Sequence, residues 1–121
     1  MSAPTLEASG IVLRPLEASD AEALFAAHSD AETHKYWAGP AHKSVEETRR
    51  YIEDTLRQAM QRVWAITEDG GEALGRVALF QVRDGVGELG IIMRRDAQGR
   101  GLASRALKLV SEHAFGALDM H

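Results

Sequence analysis

The run Glu88-Leu89-Gly90-Ile91-Ile92-Met93-Arg94-Arg95-Asp96-Ala97-Gln98-Gly99-Arg100-Gly101-Leu102-Ala103 is the part of the chain whose residue types and spacing point most clearly to chemistry. An apolar stretch passes into a short loop with two glycines and a basic residue, and a helix start follows. The first backbone N–H groups of a helix have no intrahelical partner, and the macrodipole adds positive potential there. Such a terminus suits phosphate. Gly99 and Gly101 let the backbone approach an anion without side-chain obstruction. Between residues 94 and 108, Arg94, Arg95, Arg100, Arg105 and Lys108 stand against the single acid Asp96, although the whole chain carries a net charge of −4. A local basic cluster on an acidic protein is what a polyanionic ligand needs. The same pattern also serves as a tight strand-to-helix connection with solvated arginines, and spacing alone does not separate the two.

Other reactive side chains point to less. The five histidines, at 28, 34, 42, 113 and 121, show no metal-ligand spacing, so no metal is expected. His28 falls on an apolar helical stripe and reads as packed. Tyr36 and Trp37 are candidates to line an acceptor pocket or simply to anchor a loop; Trp64 reads as core. With no cysteine there is no disulfide, thiolate zinc site or cysteine nucleophile. The acidic balance argues against general nucleic-acid binding, which needs a basic footprint. No apolar stretch approaches the ~20 residues of a membrane span, and MSAPTLEASG lacks the form of a signal peptide. The expectation is one soluble, cytoplasmic domain spanning residues 1–121.

The elements that must position the loop follow from periodicity. Strands are expected at about 10–16, 62–67, 73–81 and 86–93, and helices at about 20–28, 44–61 and 101–115. Ser19 with Glu22, and Ser44 with Glu47, have capping-box spacing. The second helix carries the stripe Val45, Thr48, Ile52, Leu56 and Ala59, with Met60 beside it; the last carries Leu102, Ala103, Ala106, Leu107, Val110 and Ala114, with Gly116 as a cap. Glu68 to Gly71 and Asp84-Gly85 read as turns, and Asp30 to Lys43 mainly as loop. The resulting order, β-α-α-β-β-β-α, is an α/β (α+β) domain whose last three strands form an antiparallel meander.

Gln98-x-x-Gly101-x-Ala103 resembles the Q/R-x-x-G-x-G/A pyrophosphate signature of the GNAT superfamily of N-acetyltransferases, and stands where that family places it, between its fourth strand and third helix. Glu88-Leu89-Gly90 resembles the E-I/L-G that precedes the family's splayed strand. Ile11-Val12-Leu13-Arg14-Pro15-Leu16 followed by Ser19-Asp20-Ala21 is similar to the opening of the ribosomal-protein-alanine acetyltransferase (Rim-type) subgroup. Asp30-Ala31-Glu32, Tyr36-Trp37 and Ser44-Val45-Glu46-Glu47 also resemble it. The match covers residues 10 to 121.

The resemblance implies the GNAT acyl-CoA N-acyltransferase fold, a mostly antiparallel sheet flanked by helices, with acetyl-CoA as co-substrate. It implies that backbone N–H groups from Gly99 through Arg100, Gly101 and Leu102 to Ala103 hold the pyrophosphate. Gln98 belongs to the signature, and Arg94, Arg95 or Arg100 would lie near the phosphates. The main chain of Ile91, Ile92 and Met93 would pair with the pantetheine arm as an added strand pairs with an edge. Direct acetyl transfer needs a neutral amine. An α-amino group, with a pKa of about 7.7–8.0, supplies one near neutral pH more readily than lysine at about 10.4. Glu88 is the candidate base, acting through a water, and its alternative is an exposed strand glutamate. The family normally continues past the third helix with a fifth strand, a fourth helix and two closing strands. Leu118 to His121 would open that fifth strand, so the fold is expected to lack its last strands and the acid that protonates the thiolate. An exposed edge beside Ile91, Ile92 and Met93 would then allow a homodimer. Two further functions are open: a non-catalytic acyl-CoA-binding module, and an interaction protein that binds through that edge.

Overall fold

The structure, a computed structural model, describes residues 4–8, 10–30, 41–58, 61–83 and 86–116. Five strands, β1 (Leu6–Ala8), β2 (Ile11–Pro15), β3 (Gln61–Thr67), β4 (Gly75–Arg83) and β5 (Val86–Met93), form one antiparallel sheet in that order. Three α-helices accompany it: α1 (Ala21–His28), α2 (Val45–Leu56) and α3 (Leu102–Gly116). The expected meander is β3-β4-β5, with Val63 opposite Ala78 and Ala78 opposite Gly90. The GNAT-type architecture read from the sequence is therefore the observed one.

Alternation along the strands divides the sheet into two faces. Ile11, Leu13, Trp64, Ile66, Val77, Leu79 and Met93 point to one side, where α3 covers them with Leu102, Ala106, Val110 and Ala114. Those four helical residues recur every fourth position and so share one stripe. Val63, Ala65 and Ala78 point to the other side and meet Leu24 of α1 and Ile52 of α2. On β5 the residues opposite Arg76, Ala78 and Phe80 are Ile92, Gly90 and Glu88, which places Glu88 on the α1–α2 face. The two-glycine loop leaves β5 at the end of the strand and turns into α3 on the opposite face.

Several boundaries differ from expectation. β1 has no apolar run of its own; it forms by folding back on β2 across Gly10, whose φ of 78° suits glycine. β4 begins at Gly75 because Ala73 and Leu74 still belong to the turn, with Leu74 N–H bonded to Ile66 O at 2.8 Å. α2 ends at Leu56, not 61, since Gln61 is already in β3. Leu56 faces outward and Thr55 is the buried residue of that turn; Ala59 and Met60 lie outside the described residues, as do the Asp84-Gly85 turn and most of the 30–43 loop. Gly116 is the last helical residue of α3 rather than a cap. The first cap is also shifted. A 3-10 turn, Ala18–Asp20, precedes α1, and the reciprocal box is Glu17 with Asp20, so Ser19 and Glu22 do not form it. Ser44 does cap α2, accepting from Glu47 N–H at 3.1 Å, while the Glu47 carboxylate reaches back to Lys43 N–H.

Two side chains tie the periphery to the sheet. Arg14 forks onto Asp20 at 2.7 and 3.0 Å and also donates to the carbonyls of Gly70 and Gly71, joining β2 to the β3–β4 turn. Trp64, fully buried as expected, donates its indole N–H to Pro4 O at 2.6 Å and takes the edge of His113 at 5.9 Å. Burial, followed by the charge of Arg62, pushes the His113 imidazole below its ordinary value. The unfolded chain then binds the extra proton first, so stability falls as pH drops through about 6.5 and the folded pKa below it. Melting temperature should decline between about pH 7 and 5.5, and His113→Gln should flatten that part of the decline in a series of thermal melts.

Candidate functional site

The loop after β5 is pinned at both ends by core residues and exposed between them. Ala97, in the 3-10 turn Arg95–Ala97, and Leu102, the first residue of α3, are both buried, whereas residues 98–101 are exposed. Gln98 Nε2 donates back to Met93 O at 3.2 Å and closes the loop on the strand end. Gly99 and Gly101 adopt φ of 83° and 75°, the left-handed region that disfavours side chains, and a Cβ at either would meet nothing within 4 Å. The first helical bond runs from Arg105 N–H to Gly101 O at 3.2 Å. The amides of Leu102, Ala103 and Ser104 therefore precede any intrahelical partner and point out of the α3 terminus. Open space, two left-handed glycines and a helix terminus coincide at one place.

The electrostatics differ from the linear charge pattern. Arg94 lies between two acids, donating to Asp96 at 2.7 and 3.1 Å and to Glu72 at 3.0 Å. The bond to Asp96 strengthens the Arg94 guanidinium's hold on its proton and holds the Asp96 carboxyl below the usual carboxylate range. Arg95 forks onto Asp30, and Arg100 reaches Glu68 at 3.4 Å and Asp96 O at 3.2 Å. The basic cluster seen against a single acid is thus, in space, three arginines met by Asp30, Glu68, Glu72 and Asp96. Asp96 belongs to the loop itself, but Asp30 follows α1 and Glu68 and Glu72 lie in the β3–β4 turn, at separations no local reading reaches. Arg94 is the most enclosed, with its side chain 16% exposed; Arg95 and Arg100 lie outside at 64% and 49%.

Ile91, Ile92 and Met93 occupy the last turn of the pleat before the loop, with the side chains of Ile92 and Met93 buried and Ile91 packed against the α3-side core. β5 is an edge of the sheet among the described residues, so half of its backbone groups face away from β4. Glu88 is exposed on the same strand, opposite Phe80. The structure thus brings residues 91–103 into one continuous feature, with Glu88 further back along β5 on the α1–α2 face. Tyr36 and Trp37 lie outside the described residues.

A separate cleft of about 530 Å³ lies between α1 and the strand ends, bordered by Asp20, Glu22, Glu72 and Arg94 among others. Three carboxylates against one engaged arginine make it a poor place for a phosphate. No group of His, Asp or Glu suited to a metal occurs among the described residues, and none of their helices is long and apolar enough to cross a membrane.

Sequence reasoning missed a buried cluster beneath α1 and α2. Arg76, only 1% exposed on β4, donates to Tyr51 OH at 2.9 Å and lies 4.8 Å from the centre of its ring. Burial pushes this guanidinium's pKa down, against the attraction of Tyr51. His28 and His42 stack at 4.7 Å, both rings abut Tyr51, and His42 Nδ1 is 2.8 Å from Thr48 Oγ1. Backbone His42 N–H to His28 O, at 2.8 Å, closes the base of the α1–α2 connection. His28 is packed as its apolar stripe implied; for Arg76 the signal in the sequence was an arginine at an inward position of an alternating strand.

Fold and loop together define an acyl-CoA N-acyltransferase architecture. Residues 11–121 match the acetyltransferase (GNAT) domain, and the chain belongs to that family, whose acyl donor is acetyl-CoA. It is 28% identical over 116 residues to the spermidine N(1)-acetyltransferase of Escherichia coli K12, covering 94% of this chain; it spans 62% of the length of that relative. A GNAT-family acetyltransferase from Bacillus anthracis superposes with a TM-score of 0.86 at 20% identity, over 98% of this chain and 70% of the other. The spermidine N-acetyltransferase of Vibrio cholerae, solved with CoA and spermine, superposes with a TM-score of 0.78 at 21% identity, over 94% and 69%. These two likenesses establish the fold.

Proposed function

We propose that this chain is the acetyl-CoA-binding core of an N-acetyltransferase acting on primary amines. The observation that carries the reading is Gln98-x-x-Gly101-x-Ala103 at the β5–α3 junction, with both loop glycines left-handed and the helix amides facing open space. In this reading the amides from Gly99 to Ala103 hold the pyrophosphate, and Arg95 and Arg100 add movable charge. Arg94, held by Glu72 and Asp96, serves mainly to brace the loop. The outer backbone of Ile91, Ile92 and Met93 pairs with the pantetheine arm and orients the thioester, whose carbonyl carbon is the electrophile the co-substrate supplies. An amine nitrogen forms the new C–N bond as the C–S bond breaks, its surplus proton passes through water to Glu88, and the departing thiolate takes a proton from solvent water.

The Rim-type opening, with Leu13-Arg14-Pro15-Leu16 and Asp20-Ala21, supports a protein N-terminal amine as acceptor. The 28% identity to a spermidine N(1)-acetyltransferase supports a second reading, a small polyamine. Release of coenzyme A thiol with an alanine-terminated peptide and with spermidine separates them. Turnover of neither, by a chain that binds acetyl-CoA, would leave the non-catalytic module. The β5 edge proposed to receive pantetheine, an edge among the described residues, is also the surface a homodimer would use, and the two uses exclude each other.

Glu88→Gln tests the base. It should lower kcat/KM near pH 7 by roughly ten- to a hundredfold, because the amide cannot take the proton. Coenzyme A affinity should stay unchanged, measured by calorimetry. Unaltered kcat/KM would return Glu88 to an exposed strand residue.

A further inference from the structure

Arg95 opens the 3-10 turn that carries the chain from β5 into the phosphate loop. Its Nε donates to Oδ2 of Asp30 at 2.6 Å and its Nη2 to Oδ1 at 2.9 Å, a two-bond fork between planar groups. The two ends are unequal. The Asp30 side chain is 20% exposed and its backbone N–H bonds Ala27 O at the end of α1, whereas the Arg95 side chain is 64% exposed on a flexible stem. The carboxylate is therefore the more enclosed end of the pair and the guanidinium the more exposed. The neighbouring arginines differ: Arg94 is enclosed between Glu72 and Asp96, and Arg100 meets Glu68 through one longer contact of 3.4 Å.

Exposed ion pairs are weak, and a ligand carrying several phosphate charges offers an arginine more than one carboxylate does. The geometry points to Arg95 as a shared guanidinium, held by Asp30 in the free protein and taken by a phosphate of coenzyme A in the complex. This rests on the reading of residues 98–103 as the cofactor's phosphate loop. Asp30 is then a positioning residue that competes with the cofactor, and cofactor binding severs the link between the end of α1 and the loop. Asp30 also begins the connection from α1 to α2, whose base is closed by His28 and His42 on the face of the sheet that carries Glu88.

The test is calorimetry with coenzyme A on the wild type, Asp30→Asn, Arg95→Gln and the double variant, at low salt. Asparagine keeps the size of Asp30 and removes its charge. Asp30→Asn should tighten binding roughly three- to tenfold and Arg95→Gln should weaken it. In the Arg95→Gln background, Asp30→Asn should change Kd by less than about twofold, because its competitor is gone. Simple removal of negative charge would tighten binding equally in both backgrounds, and that result overturns the proposal. Unchanged or weaker binding by Asp30→Asn, with the wild type binding normally, overturns it too and leaves the phosphate-loop reading intact. A folded wild type that does not bind coenzyme A overturns both.

Discussion

Gly101→Asp is expected to weaken coenzyme A binding by roughly a hundredfold or more while leaving the chain folded. The residue precedes α3 with φ of 75°, and nothing lies within 4 Å of the position a Cβ would take. Aspartate is among the side chains that tolerate this region best, so the backbone strain costs no more than about 1–2 kcal/mol. The loss falls on the ligand: a carboxylate enters the space left for a pyrophosphate, at the place where the helix amides should meet it. Arg100→Ala is the comparison. Its guanidinium is half exposed and meets Glu68 at 3.4 Å, so removing one such contact costs about 1 kcal/mol, or roughly fivefold in Kd. A thermal melt distinguishes lost binding from lost folding. Equal, negligible effects from both changes would favour an interaction protein over a cofactor-binding one.

Gly75→Val should destabilise the fold by about 3 kcal/mol and lower the melting temperature by roughly 10 °C or more. Gly75 begins β4 opposite Met93, the last residue of β5. A Cβ there would stand 2.5 Å from Ile92 O, 2.6 Å from Met93 Sδ and 3.1 Å from Met93 Cα. The nearest of these atoms is backbone, so no rotamer change relieves the clash; the end of β5 must move. That end starts the two-glycine loop, and Arg94 N–H bonds Leu74 O at 2.8 Å beside it. Coenzyme A affinity should fall together with stability, in contrast to Gly101→Asp. A wild-type melting curve for Gly75→Val would show that the two strands have slack the packed geometry does not contain.

The parts of this molecule legible in its sequence are those governed by local periodicity. The β3-β4-β5 meander, the α3 stripe from Leu102 to Ala114 and the two-glycine loop before it are each encoded by residues within a few positions of one another. β1 was hidden because Leu6-Glu7-Ala8 is too short to show a period and becomes a strand only by pairing with β2. The first cap was misplaced by two residues because Glu17 and Asp20 compete with Ser19 and Glu22 for the same spacing, and Arg14 holds Asp20 at the winning position. Charge was the least legible. Asp30 is 65 residues from Arg95, Glu68 is 32 from Arg100 and Glu72 is 22 from Arg94, so only the fold brings them together. Arg76 was missed for the same reason, its partner Tyr51 arriving from α2.

Titration calorimetry of acetyl-CoA into the 121-residue chain reads out what the β5–α3 junction holds. The prediction is saturable one-to-one binding that weakens with added salt, as contacts to phosphate do, and that Gly101→Asp removes. A folded chain that takes up no acetyl-CoA at millimolar concentration, or one whose binding Gly101→Asp leaves untouched, would contradict it.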